Sequence, residues 1–291
     1  MRYLPRREET SPERLQDLLA GEPREAARTI LVAAETGLAD AQVMLGQILL
    51  EGRGIQRDPE LAVRWFRIAR LQGNAMAKNM LGRCFEHGWG LSHDAAAAAR
   101  EYRAAADQGL DWAMYNLANL FATGRGVERN QTQALRLYRQ AAELGHAKSM
   151  NLLGRYLEEG LVVPADPAAA LDWYRRAAEA GDFRGQFSYA AVLITQRRWD
   201  EARHWLIEAL SLGHLKFLRK ARDELLAARI EPLADIAAAY VTRCADLGDQ
   251  RDRLITQPMV RRDGNSGGCS VGRAACRFSP PQTPISPATV G

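Results

Sequence analysis

The chain has 291 residues, 47% of them hydrophobic and 25% charged, an apolar share too large for disorder throughout and sufficient for a long helical core. The formal net charge of +4 does not point to nucleic acid, because Asp249 to Gly291, with six arginines and three aspartates, carry +3 of it and leave +1 on the rest. No apolar run of signal-peptide length follows the basic start and no segment approaches a membrane span, so a cytoplasmic protein without membrane insertion is expected.

In chain order, residues 1–38 read as N-terminal capping helices. Ser11-Pro12-Glu13 reads as a cap and first turn, with helices expected near 12–20 and 24–36. The first full helix pair follows. Ala41, Met44, Leu45, Ile48 and Leu49 place an apolar stripe on a helix A, and Leu61, Ala62, Trp65, Phe66, Ile68 and Ala69 do the same for a helix B. Between them Gly52-Arg-Gly54-Ile55 turns the chain back, its glycines permitting the positive φ that a Cβ disfavours by about 1 kcal/mol or more. Asp58 before Pro59 and Asp166 before Pro167 read as N-caps, with Asp94 and Asn130 at the same repeat position.

The pattern then recurs. Gly37, Gly73, Gly109, Gly145 and Gly181 are spaced by 36 residues, and so are Gly52, Gly88, Gly124 and Gly160. Leu45-Gly46, Leu81-Gly82, Leu117-Ala118, Leu153-Gly154 and Tyr189-Ala190 keep the same step. So do Ala62, Ala98, Ala134 and Ala170, and the aromatic row Phe66, Tyr102, Tyr138 and Tyr174. Independent rows sharing one period define a repeat architecture. Gly73, Gly109, Gly145 and Gly181 read as left-handed caps ending each helix B. The small residues Gly46, Gly82, Ala118 and Gly154 lie inside helix A, where glycine costs about 1 kcal/mol relative to alanine; close approach of a facing helix is the expected compensation.

These residues resemble the Sel-one-like repeat family, a branch of the tetratricopeptide-like helical solenoids. The first unit matches with Ala41, Leu45, Gly46, Gly52, Gly54, Ile55, Asp58, Ala62, Trp65, Phe66, Ala69 and Gly73; the third matches with Ala113, Leu117, Gly124, Gly126, Val127, Asn130, Ala134, Tyr138, Ala141, Ala142 and Gly145. The resemblance implies an all-α fold, a right-handed α-solenoid of stacked antiparallel helical hairpins, with four repeats over 39–182. It also implies partner binding.

Departures follow. Unit four has Leu161-Val162-Val163-Pro164 where the glycine loop should continue, so a different loop path is expected. A shortened fifth unit keeps Trp199, Ala202, Trp205 and Ala209, and a last hairpin runs from His214 to Gly248; residues 183–248 thus form a degenerate repeat and C-terminal capping helices. Residues 249–291, with Gly267-Gly268 and Ser279-Pro280-Pro281, read as a disordered tail.

Few residues carry recognisable chemistry. Gly52-Arg-Gly54 and Gly124-Arg-Gly126 lack the strand-turn-helix context and the Gly-Lys-Ser/Thr element of a phosphate loop, and read as turns. His87, His93, Cys84 and Asp94 match no common zinc spacing, and Asp94 already caps a helix. Cys269 and Cys276 lack two further ligands, and reduced thiols are expected for all four cysteines. No nucleophile elbow or acid–base pair is recognisable, so no catalytic, cofactor-binding or metal-binding residue is assigned and no cofactor is expected. Trp65, Trp173 and Trp205 read as helix-B packing residues.

The expected function is a noncatalytic interaction scaffold or adaptor. Its partner is a protein or peptide segment, acidic or otherwise carboxylate-bearing, held in a concave helix-A groove. Asn79 with Arg83, Tyr115 with Asn119, and Asn151 with Arg155 are four residues apart and share one helix-A face, with Trp112 and Lys148 one turn earlier. Amides can pair with an extended backbone, arginines can grip carboxylates, and Trp112 and Tyr115 offer apolar anchors. Polar residues that merely solvate an exposed helix face would read the same way. Two other readings stay open: an enzyme whose site is assembled from residues distant in sequence, and a structural protein that self-associates.

Overall fold

A computed structural model describes residues 21–248 and Asp252. Among these residues there are thirteen α-helices, one short 3₁₀ turn and no strand. The chain divides into two compact units between His146 and Ala147. The first contains α1 (Pro23–Glu35), α2 (Ala39–Glu51), α3 (Pro59–Leu71), α4 (Ala75–His87), α5 (Ala95–Ala106), α6 (Asp111–Thr123) and α7 (Gln131–Glu143). Here α2/α3, α4/α5 and α6/α7 are the A/B hairpins, each packed along its length, with α3 on α4 and α5 on α6 joining one hairpin to the next. The helix expected near 12–20 and the tail expected from 249 lie outside the described residues, apart from Asp252; the helix expected at 24–36 is α1.

Each hairpin is built by the same few contacts. The N-cap oxygens of Asp58, Asp94 and Asn130 accept from the amides of Leu61, Ala97 and Gln133 at 2.8–2.9 Å, each cap contributing about 1 kcal/mol. The amides of the same three residues donate back to the carbonyls of Leu49, Phe85 and Phe121, each at 2.9 Å, and lock the loop. Gly54, Gly90 and Gly126 stand against the first residues of the preceding hairpin's last helix; a Cβ there would overlap the backbone of Pro23, Pro59 and Ala95 respectively. The second loop glycine therefore serves the contact between hairpins as well as the turn.

The glycines inside helix A have a packing reason. A Cβ on Gly82 would lie 2.6 Å from two ring carbons of Tyr102, and one on Gly46 would overlap Phe66. The facing group is thus the aromatic residue of the unit's own helix B. Where that residue is tyrosine it finds an acceptor: Tyr102 Oη donates to Glu86 at 2.7 Å. In the third repeat Ala118 replaces the glycine and Ala122 replaces the glutamate. There the Tyr138 hydroxyl turns to Asn119 Oδ1, at 2.7 Å.

The second unit contains α8 (Ala147–Glu159), α9 (Pro167–Glu179), α10 (Phe183–Thr195), α11 (Trp199–Leu212), α12 (Leu215–Ala228) and α13 (Ala234–Leu247), with a 3₁₀ turn at Glu231–Leu233. Tyr174 packs on Gly154 and donates to Glu158 at 2.6 Å, repeating the Tyr102 arrangement. The loop after α8 corrects the sequence expectation. Gly160 at φ +65° and Val162 at φ +56° take the left-handed conformations of the glycine loops. Leu161 N donates to Tyr156 O and Asp166 N to Leu157 O, as Trp89 N does to Cys84 O and Asp94 N to Phe85 O in the first unit. The backbone ties hold the path, and Val162 carries the strain that a β-branched residue suffers there. In the last hairpin the buried stripe is Ile236, Tyr240 and Cys244, with Tyr240 Oη donating to Leu206 O at 2.9 Å. Asp252 is buried and pairs with Arg222 at 3.0 Å and with Arg219.

Candidate functional site

Helix-A residues of the first unit fall into two groups. On α4, Asn79 is only 3% exposed. Its Oδ1 accepts from Asn116 Nδ2 of α6 at 2.9 Å and its Nδ2 lies 3.7 Å from Met76 Sδ. The amide is spent within the fold, joining two successive A helices. Arg83, one turn on, is half-buried, with Nη1 3.7 Å from Met80 Sδ and its guanidinium 5.2 Å over the Trp89 ring. Trp89 comes from the loop after α4 and stacks against His87 at 4.5 Å. With Gln47, Leu50, Glu51, Arg57 and Met80, Arg83 and Trp89 line a pocket of about 280 Å³. A cation held over an aromatic face at the wall of a small pocket is suited to a carboxylate.

On α6, Trp112 is 42% exposed and sits at the edge of an aromatic cluster. His146 lies 4.6 Å from Trp112 and 4.8 Å from Tyr115, and Tyr115 lies 6.3 Å from Tyr138. Tyr115 is half-buried. The side-chain oxygen of Asn119 accepts from the Tyr138 hydroxyl, so its NH₂ is not engaged by that bond. The structure thus brings Trp112, Tyr115 and Asn119 together through Tyr138 and His146. The sequence marks Tyr138 only as a member of the aromatic repeat row, and it does not mark His146, Asn116, Trp89 or Arg57 as site residues.

The second unit holds Lys148, Asn151 and Arg155 along α8, all half-buried. Among the described residues Asn151 Oδ1 and Arg155 Nε are buried without a hydrogen-bond partner, and Arg155 Nε lies 3.9 Å from the Glu159 carboxylate. Asp182 caps α10, accepting from Gly185 N at 2.9 Å. Burial raises its carboxyl above the usual range, against the downward pull of the Gly185 N–H, Arg184 and Lys148.

Other candidates resolve structurally. Cys84 is fully buried, and burial raises its thiol to about 11, with Arg83 a smaller opposing influence. Trp65 and Trp205 are partly buried against the two cores, and Trp173 is half-buried with Arg176 3.9 Å over its ring. Among the described residues no cluster of three or more His, Cys, Asp or Glu could hold a metal, and no helix is long and apolar enough to cross a membrane.

Comparison with known proteins fits this geometry. The family profile described as Sel1 repeat matches residues 39–74, 75–110, 113–146, 147–182 and 200–214. Among solved structures, the chain is similar to c5321, a protective antigen present in uropathogenic Escherichia coli strains displaying an SLR fold, at 27% identity and TM-score 0.60, over 84% of this chain and 56% of that one. It therefore spans little more than half the length of that protein. It is also similar to a Sel1 repeat protein from Oxalobacter formigenes at 24% identity and TM-score 0.68, over 81% of this chain and 99% of that one. A comparison with curated proteins returned no match.

Proposed function

This chain belongs to the Sel1 repeat family, whose members are generally protein-interaction scaffolds, and on that premise we propose that it is a noncatalytic scaffold that holds an acidic partner segment on its helix-A faces. The observation that carries the reading is Arg83: a half-buried guanidinium over Trp89, beside a pocket, whose contacts within the fold are a methionine sulfur and an aromatic ring. A partner carboxylate would supply the bidentate acceptor that the described residues do not. Trp112 and Tyr115 supply the apolar anchor, and the Asn119 NH₂ a donor for a peptide carbonyl. Asn79 acts indirectly, fixing α4 against α6. Lys148, Asn151 and Arg155 offer the second unit's own donors, with Asn151 Oδ1 as an acceptor for a peptide N–H.

The test is capture from the native host on the immobilised chain, followed by fluorescence anisotropy with the bound segment of the partner recovered. Affinity is expected to fall at least about tenfold, or 1.4 kcal/mol, for Arg83→Ala and for Trp112→Ala while helicity and Tm hold. Unchanged affinity across Arg83→Ala, Trp112→Ala, Asn119→Ala and Arg155→Ala overturns the assignment.

A further inference from the structure

Successive helix-B elements of the first unit are not joined in the same way, and the difference opens a second surface. Near the end of α3, Arg70 reaches across to Glu101 of α5 and pairs with it at 2.9 Å, the Glu101 side chain being only 15% exposed. That pair bridges α3 and α5 between the first two hairpins. One repeat later the corresponding positions are Ala106 and Leu137, which cannot form it. Between α5 and α7 there is instead a groove of about 660 Å³, within the roughly 300–1,000 Å³ of ligand-binding clefts.

The groove has an apolar floor and a cationic rim. Ala106, Leu117, Phe121 and Leu137 form the floor, and Arg103 and Arg136 stand on opposite walls. Arg103 lies 5.9 Å over the Phe121 ring. Among the described residues neither arginine has an ion-pair partner, and Asp107 is the single carboxylate of the lining. Gln133 and Gln140, two turns apart on the same wall, are separated by about 10 Å along the helix, which is the length of about three residues of extended chain.

We propose that this α5/α7 groove is a second docking surface, distinct from the helix-A faces, that takes an extended partner segment presenting an apolar side chain beside a carboxylate. The apolar side chain fills the space left by the missing Arg–Glu pair. Arg103 and Arg136 grip the carboxylate, strengthened by the low-dielectric floor beneath them. The two glutamines pair with the segment's backbone.

The test uses the full chain and a random peptide library displayed on phage. Peptides are selected on the parent and counter-selected on Ala106→Arg with Leu137→Glu, which rebuilds the Arg70–Glu101 pair and fills the groove. Selected sequences are expected to place Asp or Glu beside Leu, Phe or Met. They should bind the parent at least about tenfold more tightly than the filled variant, and than Arg103→Glu with Arg136→Glu, whose exposed positions leave the fold intact. Arg83→Ala and Trp112→Ala should bind them as the parent does. Failure to select any peptide that distinguishes parent from filled variant, or selection of basic sequences, overturns the proposal. Peptides that lose affinity with Arg83→Ala and Trp112→Ala alone also overturn it, and place the binding on the helix-A face.

Discussion

Replacing Gly82 with alanine should destabilise the chain even though alanine is the better helix former. A Cβ at Gly82 would lie 2.6 Å from Cδ1 and Cε1 of Tyr102, where carbon atoms ordinarily stop at about 3.5–4 Å. The ring must therefore move by about 1 Å, and its hydroxyl cannot stay on Glu86. Helix propensity returns about 1 kcal/mol, against about 1–3 kcal/mol of overpacking and about 1.5–3 kcal/mol for a hydrogen bond to a charged group. The net loss is about 1.5–5 kcal/mol. Urea unfolding followed by circular dichroism on Gly82→Ala, Tyr102→Phe and the double variant measures it. In the Tyr102→Phe background the hydrogen bond is already gone, so Gly82→Ala should cost about 1.5–3 kcal/mol less there than in the parent. A Gly82→Ala protein as stable as the parent, or strictly additive costs, would refute the reasoning.

Val162→Gly should stabilise the fold by about 1 kcal/mol and so raise its thermal midpoint, because relief of the left-handed strain outweighs the extra freedom that glycine gives the unfolded chain; an unchanged or lowered midpoint in thermal unfolding counts against it. Gly109 stands at φ +86° with open space around it, so Gly109→Val should cost about 1–3 kcal/mol through backbone strain alone, and equal melting of the two proteins rejects the cap. Asp182→Asn keeps the cap acceptor. Since burial raises the folded-state carboxyl of Asp182, its contribution is fully present below the unfolded pKa of about 4 and declines as pH rises through the folded value. The asparagine variant should therefore melt above the parent at pH 7, with the gap closing toward pH 4, and a gap that widens in acid contradicts this. Cys84, buried and with its thiol raised to about 11, should resist maleimide in the folded protein and react after denaturation, read by peptide mass mapping.

How much was legible in the sequence follows from how local each determinant is. The caps at Asp58, Asp94, Asn130 and Asp166 bond within three residues of themselves, so residue type and spacing suffice to read them. The glycine rows are legible for the same reason. The reason for the helix-A glycines was readable only as a close approach, because the facing ring is settled by how the two helices meet. Asn79 and Asn119 show the limit for the candidate site. Spacing places them on the helix-A face, but whether an amide points to solvent depends on neighbours one repeat away, Asn116, or across the hairpin, Tyr138. Val162 was misread because residue preference was weighed without the backbone bonds that override it. The α5/α7 groove escaped because Ala106 and Leu137 are unremarkable singly; they acquire meaning only when set against Arg70 and Glu101 one period earlier.

Gly54, Gly90 and Gly126 let one hairpin rest on the backbone of the one before it, so the pitch between those hairpins is set where no side chain intervenes. Mutational drift along the helix faces can then change what the chain grips without changing how far apart the gripping residues stand. Duplication of a whole module inherits that spacing at once, which lets a new copy diverge in recognition from its first generation while the ruler on which it is mounted stays the same.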